Sequence, residues 1–190
     1  MLARREAIEI LLAERGDLAI VTGLGSTTYD VASVGDHGRN YYLWGAMGSA
    51  ITVGLGLALA RSDLDVVVVT GDGEMLMGIG GLATVGVKSP HNLTTVIFDN
   101  GYYGETGMQR SHAGSTCDLS GVARACGIPD ACTVSTRKEL VDARQILHRR
   151  GAPRFLRVLI EADDPPRVMP SRDGVEIKLR FQRAIGGGPT

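Results

Sequence analysis

Aromatic residues are scarce: three Phe, five Tyr and one Trp in 190 residues. That leaves little for a base-stacking surface. A formal net charge of −1 removes the electrostatic pull toward nucleic acid or an anionic membrane, so neither is expected as a partner. No stretch reaches the ~18 consecutive apolar residues of a membrane span, so none is expected. Cysteine is thin as well: Cys117, Cys126 and Cys132 are odd in number and lack metal-type spacing. They are expected as free structural thiols in a reducing compartment. The opening MLARREAIEILLAERG sets Glu6, Glu9 and Glu14 inside its apolar pattern, unlike an export signal, and a cytoplasmic protein is expected. No internal repeat is present.

Glycine is the excess, with 26 residues, about twice the ordinary share of about 7%. Much of it lies between Gly23 and Gly107, where the backbone is expected to come near a ligand. Hydrophobic residues at 44% and charged residues at 22% are ordinary for a globular protein, and the length suits one domain with a real core. Apolar spacing predicts a helix over 4–15 and a first strand over 18–22, then a helix opened by Gly23-Leu24-Gly25-Ser26-Thr27-Thr28, with Ser26 or Thr27 as its cap. A loop, a small-residue helix over 47–60, a strand over 66–70, a helix around 75–87 and a strand over 93–99 follow. Helix over 119–125, strand over 130–134, helix over 136–149 and strand over 154–160 complete the pattern. Thr136 and Glu139 form a capping-box pair in the last of these helices. Alternating strands and helices predict a three-layer α/β fold with a doubly wound, mostly parallel sheet. The domain is expected to end near residue 161, with 162–190 as an arm or frayed tail.

Two strands end in the same way. Val66-Val67-Val68-Val69-Thr70 runs into Gly71-Asp72-Gly73, and Val96-Ile97-Phe98-Asp99 runs into Asn100-Gly101. In an open α/β sheet, ligands bind at the carboxyl ends of the strands. Asp72 and Asn100 offer two hard oxygen ligands to a small divalent cation, and the neighbouring glycines let N–H groups approach phosphate oxygens. Gly25-Ser26-Thr27-Thr28 has the form of an anion cradle at a helix N-terminus, a role compatible with simple capping. His37 could face a substrate from its loop, or simply lie on the surface. Arg110 and His112 could bind a sulfonate, phosphonate or carboxylate. Gly54-Leu55-Gly56 and Gly78-Ile79-Gly80-Gly81 do not follow strands as a dinucleotide site requires.

The stretch GDGEMLMGIGGLATVGVKSPHNLTTVIFDNGYYGETG resembles the cofactor signature of thiamine diphosphate enzymes. With LWGAMGSAITVGLGLALA and GETGMQRSHAG, the resemblance runs from about Val21 to about Ile160. Within that family it is similar to the small subunits of sulfopyruvate decarboxylase and the cofactor-binding half of phosphonopyruvate decarboxylase. The resemblance implies Asp72, Asn100 and the Tyr102 carbonyl as Mg²⁺ ligands, with Gly71, Gly73 and Glu74 near the diphosphate and Ser26 and Thr27 as further contacts. It implies Met47 as the wedge that bends the cofactor, with Gly45, Ala46 and Met47 backbone at the pyrimidine edge. The expected chemistry is decarboxylation of a small 2-oxoacid to an aldehyde.

The family also needs a glutamate at the pyrimidine, supplied by a separate pyrimidine-binding domain for which this chain has no room. The resemblance therefore implies a partner α subunit and self-association into an α₂β₂ or larger assembly. A subunit of a 2-oxoacid oxidoreductase, a carboligase and a cofactor-binding protein without turnover stay open as alternatives.

Overall fold

The structure, a computed structural model, describes residues 1–186. In chain order it runs α1 (Arg4–Leu12), β1 (Ala19–Thr22), α2 (Ser26–Ser33), β2 (Asn40–Tyr42), α3 (Ala50–Ala60), β3 (Val66–Gly71), α4 (Asp72–Met77), α5 (Gly80–Lys88) and β4 (Leu93–Asp99). A short hairpin of β5 (Tyr102–Tyr103) and β6 (Gln109–Arg110) is followed by α6 (Leu119–Ala125), β7 (Asp130–Val134), α7 (Arg137–Ala143), β8 (Arg154–Leu159) and α8 (Gly174–Ala184). Six strands form one sheet in the order β2-β1-β3-β4-β8-β7, with parallel pairing throughout.

The β3 run explains the layering. Val67 and Val69 belong to one buried cluster with residues of α1, α2 and α7. Val66 and Val68 belong to the other, with residues of α3, α5 and α6. Side chains alternate between faces, so a central strand covered by helices on both sides is apolar at every position. Burying each such valine stabilises the fold by roughly 1.5–3 kcal/mol. Helix α3 comes close enough to the sheet that a Cβ on Gly54 would lie 2.2 Å from Val68 Cγ2; only glycine fits there. Between α1 and α2, the buried Arg4 guanidinium grips Asp30 through Nε and Nη2, the shortest contact being 2.8 Å.

Several expectations are corrected. Helix α3 begins at Ala50, which leaves Met47 in a loop, because Gly48 takes a positive φ of 90° that a helix cannot contain. The helix expected around 75–87 is two helices, α4 and α5, parted at Gly78 and Ile79. At Gly78 a Cβ would meet the Gly48 carbonyl oxygen at 1.9 Å. Gly25, not Ser26 or Thr27, is the N-cap of α2. Strand β2, three residues expected as loop, forms the sheet edge. The Thr136–Glu139 capping box is present, although regular helix ends at Ala143 and a 3₁₀ turn continues to His148.

The arm expected from residue 162 runs without regular structure to Asp173. It then becomes α8, whose Ile177 and Phe181 are buried, one in each cluster. Phe181 stands edge-on to Tyr41, with ring centroids 5.3 Å apart. The fraying expected of the final residues falls on 187–190, outside the described residues.

Candidate active site

Strands β3 and β4 are neighbours in register, Gly71 beside Phe98, so the residues that follow them emerge side by side at the carboxyl edge. There a cleft is lined by Leu24, Ser26, Thr27, Met47, the Gly71–Glu74 turn, Asn100 and the Tyr102–Thr106 hairpin, with Arg4, Phe98 and Ile160 also contributing. At Gly73, a Cβ would lie 2.6 Å from the ring of Tyr103, so glycine lets the hairpin close over the turn.

Asp72 opens α4 and is 2% exposed. Burial raises its carboxyl to about 6, and the charge of Asp99 adds to the rise; a hydrogen bond from the Ser111 hydroxyl works against it. Asp99 has its own cation, Arg157 Nε at 2.6 Å. Among the described residues no cation pairs with Asp72. A divalent cation suits that charge, and the donor set is right for one. Asn100, half-buried at the end of β4, accepts the Tyr102 N–H on Oδ1 at 2.9 Å, and an amide oxygen can accept a second contact. No group of three or more His, Cys, Asp or Glu gathers among the described residues.

Glu74 was expected near the diphosphate. It lines the cleft, but its carboxylate ties three chain segments together. Oε2 accepts the Leu24 N–H at 2.9 Å and the Thr70 hydroxyl at 2.8 Å, while Oε1 accepts the Gly48 N–H at 3.3 Å. These bonds use a buried carboxylate to fix the β1–α2 turn and the Met47 loop against β3; burial pushes its pKa up.

Met47 reaches the cleft 38% exposed. It is framed by Ala46 at φ 57° and Gly48 at φ 90°. A left-handed alanine costs of order 1–3 kcal/mol, so the Gly45-Ala46-Met47 loop holds a shape that its surroundings impose. Ser26 and Thr27 are the first residues of α2, whose cap residue Gly25 makes no side-chain cap. The Thr27 hydroxyl is buried without a partner.

The structure does not bring His37 to this cleft. Strand β2 is parallel to β1, so the residues leading into it lie at the amino edge, the opposite end of the sheet. There His37 Nδ1 accepts the Arg39 N–H at 3.1 Å. Arg110 and His112 are exposed and are not among the cleft-lining residues; Arg110 Nε donates to the Gly114 carbonyl at 2.8 Å. Sequence reasoning missed Ser111, which sits between these two polar residues, and Arg4, Tyr103 and Glu105. The signal available for Ser111 and Glu105 was their position in the glycine-punctuated stretch after Asn100.

Residues 23–158 match the family described as thiamine pyrophosphate enzyme, C-terminal TPP binding domain. The chain is 42% identical over 173 residues to sulfopyruvate decarboxylase subunit beta of Methanocaldococcus jannaschii, covering 87% of each. It is 37% identical over 192 residues to phosphonopyruvate decarboxylase of Streptomyces viridochromogenes, with 98% of this chain but 47% of that protein covered. It therefore spans about half the length of that relative. Among solved structures, benzoylformate decarboxylase from Polynucleobacter necessarius superimposes with a TM-score of 0.69 at 20% identity, over 85% of this chain and 34% of the other. That similarity bears on the fold, a three-layer α/β arrangement. The chain belongs to the thiamine pyrophosphate enzymes, and what it contributes to that family is their C-terminal cofactor-binding domain.

Proposed function

We propose that the chain is the diphosphate-binding, beta-type subunit of a thiamine-diphosphate-dependent decarboxylase acting on sulfopyruvate or phosphonopyruvate. The observation that carries this reading is the buried carboxylate of Asp72, with no cationic side chain paired to it among the described residues, beside Asn100 at the ends of two adjacent strands. In this reading Asp72, Asn100 and the Tyr102 carbonyl hold Mg²⁺. The α2 N-terminus, with Ser26 and Thr27, receives the diphosphate, and the Gly71 and Gly73 backbone lies alongside it. Met47 keeps the ring system bent, with the Gly45 and Ala46 backbone at the pyrimidine. When bound, the cofactor supplies the electron sink that allows a 2-oxoacid to lose carbon dioxide. The substrate class comes from the relatives' names; an oxidoreductase would require iron–sulfur clusters on partner chains, because the three cysteines here are too scattered to hold one.

The chain's own carboxylates in the cleft are already engaged: Asp72 toward the metal, Glu74 with backbone N–H groups, and Glu105 with Arg167 at 3.3 Å. We therefore assign the activating glutamate at the pyrimidine to a partner subunit. An uncharged surface supports association. Neither 46–60 nor 75–87 contains a charged residue, yet Leu59, Met77 and Val87 are exposed on them. Exposed apolar side chains on uncharged helices suit burial against another subunit. No helix among the described residues is long and apolar enough to cross a membrane. The three unpaired cysteines are compatible with a reducing cytoplasm.

The test is to supply thiamine diphosphate, Mg²⁺ and 3-sulfopyruvate or 3-phosphonopyruvate to the chain alone and to the chain co-expressed with a pyrimidine-binding subunit. Carbon dioxide release is expected from the pair and not from the chain. Strong turnover by the chain alone would overturn the split site. Failure of the chain and of the pair to bind thiamine diphosphate would overturn the assignment as a whole.

A further inference from the structure

The N-terminus of α2 is built to receive an anion, and a side chain of the protein already lies there. Gly25, the cap residue, sits at φ 80° and offers no side-chain acceptor to the first N–H groups of the helix. Thr27, 3% exposed, is among the residues lining the cleft, and its buried hydroxyl has no partner. Against this end of the helix rests the carboxylate of Glu105. The Ser26 hydroxyl donates to its Oε1 at 3.4 Å, and a Cβ placed on Gly25 would be only 3.0 Å from the same oxygen. Negative charge is favoured at a helix N-terminus by the exposed N–H groups and the helix dipole.

Glu105 belongs to the 3₁₀ turn Gly104–Thr106 at the tip of the β5–β6 hairpin, a segment with no part in the core. Its second oxygen is held by Arg167 Nη2 at 3.3 Å. Arg167 comes from the irregular stretch that follows the sheet, beyond the residues matching the family. Its guanidinium lies over the ring of Tyr29, 5.5 Å from the centroid. The stretch is pinned on either side: Arg5 Nη2 donates to the Pro166 carbonyl at 2.9 Å and Trp44 Nε1 to the Ser171 carbonyl at 2.8 Å. The arm thus supplies a fixed cation for Glu105 at the mouth of the cleft.

We propose that Glu105 is a resident anion, held by Arg167, that occupies the diphosphate's place at the α2 N-terminus until the cofactor displaces it, and so sets the affinity for the cofactor. The inference rests on the reading of the cleft as a diphosphate site. A multiply charged diphosphate and the carboxylate cannot share these donors, so binding requires the Glu105 side chain to turn away and the Ser26 contact to break. The long bond to Ser26 and the exposed ion pair with Arg167 are both weak enough to make that movement inexpensive. Glu105 would then tune binding without touching the reacting atoms.

The experiment is calorimetric titration of the full chain with inorganic pyrophosphate and with thiamine diphosphate, both in the presence of Mg²⁺. Glu105→Gln removes the competing charge and should tighten both ligands by about three- to tenfold, the size of a charge effect at a helix terminus. Glu105→Asp keeps the charge but shortens its reach, and should tighten them in the same sense. An unchanged or weaker affinity in Glu105→Gln, with the unaltered chain binding normally, would overturn the proposal and leave the cofactor assignment standing. A gain in Glu105→Gln with none in Glu105→Asp would also overturn it, because charge alone and not occupancy would then be at work. Should neither the unaltered chain nor the variants bind either ligand, the diphosphate site itself would fall, and this inference with it.

Discussion

The Ser111 hydroxyl donates to the buried carboxylate of Asp72, joining residues 39 apart in sequence. Ser111 follows β6 directly, and its N–H donates to the Gly101 carbonyl at 2.8 Å. One small residue thus fastens the hairpin after β4 to the acid at the end of β3. The same hydroxyl accepts the Gly114 N–H at 3.2 Å, which orients its proton toward Asp72. The carboxylate identified from sequence has a neutral donor beside it that holds one oxygen in place.

Asp72 should cost the ligand-free fold stability. Its folded pKa, raised by burial to about 6, lies above the ordinary carboxylate value. The folded state therefore binds the proton more tightly than the unfolded chain. Stability falls as pH rises from about 4 through about 6, and the cost, on the order of 3 kcal/mol, is complete above that window. Asp72→Asn keeps an acceptor for Ser111 and removes the charge. Urea denaturation without ligands should show the variant more stable than the unaltered chain at about pH 7.5, with the gap closing near pH 4. Calorimetry should show Mg²⁺-dependent thiamine diphosphate binding abolished. A destabilised variant at neutral pH would contradict the account of this carboxylate.

Ser111→Ala removes the hydrogen bond that works against the rise in the Asp72 pKa. The carboxyl should then titrate still higher, and protons should compete better with metal. Mg²⁺-dependent cofactor binding is expected to weaken by about tenfold near pH 6 and by less near pH 8, since a hydrogen bond to a charged group contributes roughly 1.5–3 kcal/mol. Equal losses at both pH values would assign Ser111 to packing alone.

Legibility followed the range of the interactions. Asp72 and Asn100 stood out because a strand, its terminal polar residue and its glycines are contiguous, and strand direction then placed both at one edge. The double layer was legible for a similar reason, since the fully apolar β3 run permits no solvent-facing side. Strand β2 was not legible: Asn40–Tyr42 has three residues, too few for a period, and its place is fixed by pairing with β1. The bridging role of Glu74 was not legible because its hydrogen-bond partners, Leu24 and Gly48, are 50 and 26 residues distant. For His37 the sequence left two readings open, because a loop gives no sign of which end of the sheet it serves; the structure puts it on the surface. In α8 the Ile177 and Phe181 spacing of i, i+4 was present, but prolines and charges around it obscured the pattern.

Phe181 should therefore matter to stability. It is 7% exposed, in the cluster with Ile51, Leu55 and Val66, and its ring meets Tyr41 on the edge strand. Phe181→Ala is expected to lower the unfolding free energy by about 3 kcal/mol, at the low end for a buried phenylalanine because the site lies at the sheet margin. A urea midpoint indistinguishable from that of the unaltered chain would return residues 174–184 to the status of a loose tail.

Met47 carries the prediction most specific to catalysis. Its side chain enters the cleft from a loop shaped by left-handed Ala46 and Gly48, and the Gly48 N–H is tied to Glu74 at 3.3 Å. The loop is thus held by contacts that do not involve the methionine side chain. Met47→Ala should leave fold and loop intact while removing the bulk that would bend the cofactor. Diphosphate and metal contacts lie elsewhere, at Ser26, Thr27, Asp72 and Asn100, so affinity for thiamine diphosphate should change by about threefold or less. Turnover by the assembled enzyme should fall by on the order of a hundredfold, the scale on which misplacing a reacting group lowers rate. Met47→Leu, similar in volume, should recover most of it. Calorimetry and steady-state kinetics on the same preparations separate the two effects. A parallel fall in affinity and rate would make Met47 a binding residue, and normal turnover in Met47→Ala would make it ordinary packing at the rim of the cleft.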